Sequence, residues 1–285
     1  MLTLRMLRSW RRNFRLNSVL LQGGFVDIRE YAQAFDQVEH DYEDAVVAFG
    51  IPFEVTESCP RKRRLQTAAM CGCHCENGGG SLWRGWISPA CLACRTGERT
   101  ATFFVDLRCT RHCYFCFNPN QDRYEYFLSH RRDIVGELEQ AAAVGAQFDC
   151  LAITGGEPLL HKESVVAFVR RAKELYSDVH IRLYTCGDLL DDSCLDALAD
   201  AGLDEVRFSI KPEDVARPDA PVFGRIEAAV SSLPDVMVEM PVIPGTLSEM
   251  QELLVRLDDM GVRGVNLLEF CFPLCNAEAF RDRGF

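Results

Sequence analysis

The chain has 285 residues, of which 48% are hydrophobic, 10% aromatic and 26% charged, enough for one large domain or two small ones around a real core. This composition excludes a largely disordered chain and a collagen-like one. With 31 Lys and Arg against 42 Asp and Glu the formal charge is −11, which speaks against a generally basic nucleic-acid-binding surface, and no apolar run reaches the roughly 18 residues of a membrane helix.

The first 26 residues carry five arginines and no acid, and their apolar stretch is interrupted by Asn17, Ser18, Gln22, Gly23 and Gly24. That is no secretory signal. It reads as a basic amphipathic helix or an over-extended start ahead of an organelle transit peptide, so the expected location is cytoplasmic. An amphipathic helix is expected over 28–49, followed by the basic run Arg61, Lys62, Arg63 and Arg64. Residues 1–70 are thus taken as a partly helical N-terminal extension.

Residues 71–98 are rich in Cys and Gly, include Trp83 and Trp86, and show no periodicity. The chain has 14 cysteines in all. A disulfide framework suits short secreted chains, whereas clustered thiols in a reducing compartment point to metal. Cys71, Cys73, Cys75, Cys91 and Cys94 offer more than the four ligands of a structural zinc, with His74 as a substitute. A second iron–sulfur cluster is the other reading, and incidental free thiols the third. The segment is expected to be loop, held by its metal rather than by a core.

From residue 99 onward strand and helix patterns alternate. Apolar runs at 101–107, 148–154, 179–185, 205–210, 236–242 and 264–270 predict six strands. Helical patterns at 131–146, 163–176, 191–201, 223–233 and 247–260 lie between them. The expected fold is α/β, with right-handed βαβ units and a parallel sheet, open or curled into a partial barrel, over 99–285. The chemistry then belongs at the C-terminal ends of the strands.

The first of these strands runs into Cys109, Cys113 and Cys116, spaced four and three apart. Three thiolates in one loop can wrap a compact cluster and leave one iron of a four-iron cluster open; a zinc loop or accidental spacing is the alternative. The next strand ends in Gly155, Gly156, Glu157 and Pro158. The glycines let backbone approach a ligand closely, and the carboxylate could hold an ammonium group.

These residues resemble the radical S-adenosylmethionine (radical SAM) superfamily, whose signature has an aromatic before the last cysteine, here Phe115 before Cys116. The resemblance covers about 99–285. It implies a partial (βα)6 barrel, a [4Fe-4S] cluster on Cys109, Cys113 and Cys116, and S-adenosyl-L-methionine bound to the open iron. It further implies that Gly155, Gly156, Glu157 and Pro158 hold the methionyl amine, that Ser209 and Lys211 contact ribose and carboxylate, and that Ile243, Pro244 and Gly245 lie beside adenine. The implied activity is an oxygen-sensitive enzyme that cleaves S-adenosylmethionine reductively and abstracts a hydrogen atom from its substrate, fed by a flavodoxin- or ferredoxin-like donor.

The run Cys116-Phe117-Asn118-Pro119-Asn120 also resembles the glycyl-radical-enzyme activases. They carry His where this chain has Phe117, and Asp where it has Ser209, so a peptide- or protein-modifying reaction and one on a small metabolite stay open. From another class, a non-catalytic zinc- or iron–sulfur-stapled binding module is the rival. Glu269, Cys271 and Cys275, at or beyond the sixth strand, are candidate auxiliary ligands or hydrogen-atom relays, or packed thiols. Cys150 and Cys194 read as core, Cys186 as ambiguous, and His130, His161 and His180 as surface or satisfied groups.

Overall fold

The structure, a computed structural model, describes residues 44, 47–48, 59–76, 81–268 and 274–284. Apart from three positions, the helix expected over 28–49 lies outside the described residues, as do Glu269 and Cys271.

The chain divides into two compact units, Met1–Gly80 and Ser81–Phe285. In the first, helix α1 (Cys59–Met70) contains the whole basic run, and strand β1 (His74–Glu76) follows. The helix stops at Gly72, whose φ of 65° is the left-handed conformation glycine adopts without strain. Beyond that stop Cys73 N–H reaches back to Ala68 O at 2.9 Å. Cys71, Cys73 and Cys75 belong to this unit, whereas Cys91 and Cys94 belong to the second.

The second unit opens with strand β2 (Ser81–Trp83) and helix α2 (Pro89–Thr96). This helix corrects the expectation of loop over 71–98. Its signals are local: Ser88 caps it by accepting from Ala90 N–H at 3.1 Å, Pro89 occupies the first turn, and Gly97 closes it with φ 70°. Eight residues are too few to give a readable period.

The six expected strands are all present: β3 (Thr100–Phe104), β4 (Cys150–Thr154), β5 (His180–Thr185), β6 (Glu205–Phe208), β7 (Asp235–Pro241) and β8 (Gly264–Leu268). Each pairs in parallel with the next, in the order β3-β4-β5-β6-β7-β8. The five expected helices connect them: α4 (Ile134–Ala143), α5 (Lys162–Leu175), α6 (Asp192–Ala201), α8 (Pro221–Ser232) and α9 (Leu247–Asp259). Three short helices complete the unit: α3 (Tyr124–Phe127), α7 (Pro212–Val215) and α10 (Ala277–Arg281).

The core lies between one face of the sheet and these helices. Ile153, Leu183, Val206, Phe208 and Val238 point toward Leu138, Phe168, Leu198, Ile226 and Leu253. Phe168 is fully buried against Phe103, with ring centroids 4.9 Å apart, a contact whose truncation costs about 3–5 kcal/mol. Because side chains alternate along a strand, the opposite face carries Arg182, Tyr184, Glu205, Arg207, Glu239 and Asn266. The sheet is therefore apolar toward the helices and polar on the face away from them.

Candidate functional site

The cysteine loop leaves β3 through Val105, Asp106, Leu107 and Arg108 and meets the turn that ends β4. Glu157 N–H donates to Arg108 O at 2.7 Å, and Gly156 N–H to Asp106 O at 3.3 Å. The two backbones touch so closely that a Cβ on Gly156 would sit 1.8 Å from Arg108 O. Gly155 has φ 126°, and a Cβ there would lie 2.7 Å from Asp106 O. Only glycine fits either position. From the other side, Asn118 Nδ2 donates to Gly155 O at 2.6 Å, which ties the end of the cysteine loop to the same turn.

Glu157 is 1% exposed, and its carboxylate is engaged inside the protein. Oε1 accepts from Leu159 N–H at 3.0 Å and Thr185 Oγ1 at 2.7 Å, and Oε2 accepts from Cys186 N–H at 2.8 Å. Three donors occupy most of a carboxylate's acceptor positions. Glu157 is thus a strut joining the ends of β4 and β5. The sequence carried no sign of this role, because two of its three partners lie 28 and 29 residues away.

Asp188, past the end of β5, holds the first half of the cysteine loop. Its Oδ2 accepts from Thr110 Oγ1 at 3.0 Å and Arg111 Nε at 2.6 Å, and its Oδ1 from Arg111 Nη2 at 2.6 Å. Asp214 stands 3.3 Å from the same guanidinium. Burial opposes ionisation of Asp188, but the hydrogen bonds from Arg111 and Thr110 outweigh it and hold the carboxyl below the usual range. Thr110 Oγ1 also lies 3.3 Å from Cys186 Sγ. Burial, with the Glu157 carboxylate alongside, pushes the Cys186 thiol up to about 12, so Cys186 is a neutral packed thiol. A further tie is Asn276 Nδ2 to Cys116 O at 2.9 Å, and Phe280 packs edge-on against Tyr114.

None of the three loop cysteines is in a disulfide: Cys109 is exposed, and Cys113 and Cys116 are half-buried. Among the described residues no three Cys, His, Asp or Glu side chains are gathered as a site for one metal ion. Three thiols in one loop are the donor set that a thiolate-bound cluster requires. Phe115 is half-buried beside Tyr114. Pro158 and Ile243 are buried, and Pro244 and Gly245 are exposed beyond β7. Lys211 is 7% exposed and donates through Nζ to Ser209 Oγ at the end of β6, so the pair forms one internal contact. Cys275 is exposed next to Asn276, which brings it toward the same rim. His161 is satisfied by Asp106 at 2.7 Å, and Cys150 and Cys194 are core.

At the opposite ends of the strands lies a second thiol pair. Cys91 and Cys94, three apart on α2, each accept from an arginine of the polar sheet face: Arg207 Nη2 to Cys91 Sγ at 3.1 Å and Arg182 Nη2 to Cys94 Sγ at 2.8 Å. Arg207 is 1% exposed and also bonds Glu205 and, at 3.1 Å, Glu239. Ser88 Oγ and His180 add donors to Glu205. Burial raises the Glu205 carboxyl, but His180, Arg207 and Ser88 outweigh it and bring it down to about 2. This network escaped the sequence reading, although charged residues at alternate positions of a strand buried on both faces were its signal.

Residues 107–215 match the profile of the Radical SAM superfamily. A protein of Methanocaldococcus jannaschii, named as a glycyl-radical enzyme activating enzyme, is 25% identical over 207 residues, 70% of this chain and 54% of its own length. A PqqA peptide cyclase of Gluconobacter oxydans is 33% identical over 123 residues, 43% of this chain and 32% of that protein. The chain thus spans about half, or less, of the length of these curated relatives. Among solved structures, Streptococcus suis SuiB bound to S-adenosylmethionine superposes with a TM-score of 0.50 at 15% identity, covering 86% of this chain and 53% of that one. That likeness is one of fold.

Proposed function

We propose, from the match of residues 107–215 to the Radical SAM superfamily profile, that this chain is an enzyme that cleaves S-adenosylmethionine at a cluster held by Cys109, Cys113 and Cys116. The observation that carries the reading is the interlock of the cysteine loop with the Gly155–Gly156–Glu157 turn, in which Gly156 has no room for a Cβ. When bound, a [4Fe-4S] cluster supplies the electron for splitting the sulfonium and so for radical chemistry. The protein's own part is to hold and orient. Glu157 fixes the turn that offers backbone to the methionyl amine, Asn118 ties that turn to the loop, and Lys211 with Ser209 marks the end of β6. Phe115, Pro158, Ile243, Pro244 and Gly245 are assigned to the same cosubstrate by resemblance.

The substrate class we favour is a peptide or protein. Support comes from the two relatives, one named as an activating enzyme of a glycyl-radical enzyme and one as a peptide cyclase. Phe117 and Ser209 are the departures that weigh against the activase form. A flavodoxin- or ferredoxin-like donor and a cytoplasmic setting complete the proposal; among the described residues no helix is long and apolar enough to cross a membrane. A second metal centre, iron–sulfur or zinc, is proposed with Cys91 and Cys94 among its ligands.

Anaerobic reconstitution followed by dithionite tests this. A cluster-replete protein should yield 5′-deoxyadenosine from S-adenosylmethionine, slowly even without substrate. Complete absence of that product would leave the stapled binding module as the reading.

A further inference from the structure

We propose that Asp188 is a positioning residue for the cysteine loop, fixing Thr110 and Arg111 against the end of β5 and cancelling the charge of Arg111 beside the thiols. The inference rests on the reading of Cys109, Cys113 and Cys116 as cluster ligands, and it concerns a residue that touches none of them.

Thr110 and Arg111 immediately follow Cys109, so whatever fixes their side chains fixes the first half of the loop. Asp188 takes both at once, with a two-point grip on the guanidinium and a third bond to the hydroxyl. An exposed ion pair is worth little, because water and side-chain entropy compete with it. Here the guanidinium side chain is 20% exposed and Asp188 28%. Asp214, 4% exposed, backs the pair from α7, the short helix that follows β6. The loop is thereby anchored to the adjacent ends of β5 and β6, while the Gly155–Gly156–Glu157 turn anchors it to β4.

The charge arithmetic adds a second consequence. One guanidinium against two carboxylates leaves a net −1 next to thiolates that are themselves anionic when they bind metal. Arg111 also donates its backbone N–H to Cys109 Sγ at 3.4 Å, so its main chain stands at the edge of the ligand set. The potential of an iron–sulfur cluster follows the net charge around it and the hydrogen bonds to its sulfurs. An Arg111 freed of Asp188 would make the cluster easier to reduce and, once reduced, a weaker donor. Asp188 therefore keeps the site strongly reducing as well as in place.

Two measurements on the full chain test the two halves separately. In metal-free protein, amide hydrogen exchange across 109–116 should run at least roughly tenfold faster in Asp188→Ala than in wild type, because the substitution removes three hydrogen bonds and one charge-assisted bond alone is worth about that much. Asp188→Glu should recover part of the protection. Asp192→Asn, which removes an exposed ion-pair partner on α6, should change nothing in that segment. In reconstituted protein, an EPR-monitored redox titration should give a less negative midpoint for Asp188→Asn than for wild type. Unchanged exchange in a folded Asp188→Ala protein overturns the positioning role, and an unchanged midpoint in Asp188→Asn overturns the charge role. A wild type that binds no cluster defeats the reading of the cysteines instead, while the exchange measurement still decides on Asp188.

Discussion

The two ends of the sheet use cysteine in opposite ways. At the C-terminal rim, Cys109 takes a backbone N–H, and its loop is held through neighbours, by Asp188, Asn118 and Asn276. At the N-terminal floor, Cys91 and Cys94 are themselves held, each by a guanidinium buried in the polar face of the sheet. The rim fixes the frame around its thiols; the floor fixes the sulfur and places charge beside it. A thiol's neighbourhood, more than its spacing in sequence, decides what it is prepared to bind.

The contrast can be broken most severely at the rim. Cys113→Ala should abolish both the rim cluster and all S-adenosylmethionine cleavage, as read by iron content and 5′-deoxyadenosine; retained cleavage would overturn the ligand assignment. Gly156→Ala forces a methyl group into Arg108 O and should cost about 3 kcal/mol or more in a denaturant titration. Gly97→Ala, at the floor helix cap with open space around it, should cost only about 1 kcal/mol. Equal losses would mean that the loop and the turn do not interlock at Gly156.

Glu157→Ala comes next. It strands three donors and should weaken S-adenosylmethionine binding together with stability, by about 2–3 kcal/mol in each. Loss of affinity with full stability would mean that the carboxylate meets the ligand directly.

At the floor, replacing Cys91 and Cys94 together with Ala should leave the rim cluster and its cleavage activity intact. If a second four-iron centre is present, iron should fall from about eight to about four per chain; if zinc, only zinc should be lost. The smallest effect is one of pH. Glu205 is held near 2, below its unfolded value of about 4.3. Its contribution to stability is therefore complete above about pH 4.3 and is lost as pH falls toward 2. Glu205→Gln should flatten that acid limb in urea titrations, and an unaltered limb would show that the floor network contributes nothing there.

Much of this was legible in the sequence, for a physical reason. Six strands and five helices carry their period and their stops within a few residues, and the cysteine loop with its Gly-Gly-Glu turn is likewise local. Helix α2 was missed because Ser88 and Gly97 frame only eight residues. The bonds of Glu157 to Thr185 and Cys186, the grip of Asp188 on Arg111 and the pairing of Arg182 with Cys94 join residues 28 to 88 apart. Such pairs have no linear signature. Only the position of Arg182 and Arg207 on the inward alternation of β5 and β6 hinted at them.

The bond from Asn276 to Cys116 spans 160 residues. A ribosome adding about 5–20 residues per second takes on the order of ten to thirty seconds to cover that interval. For that time the cysteine loop exists without its latch, and without the packing of Phe280 on Tyr114. Assembly of the rim is thus ordered in time: the three thiols emerge early, and their closure arrives only once the chain has been made through residue 280.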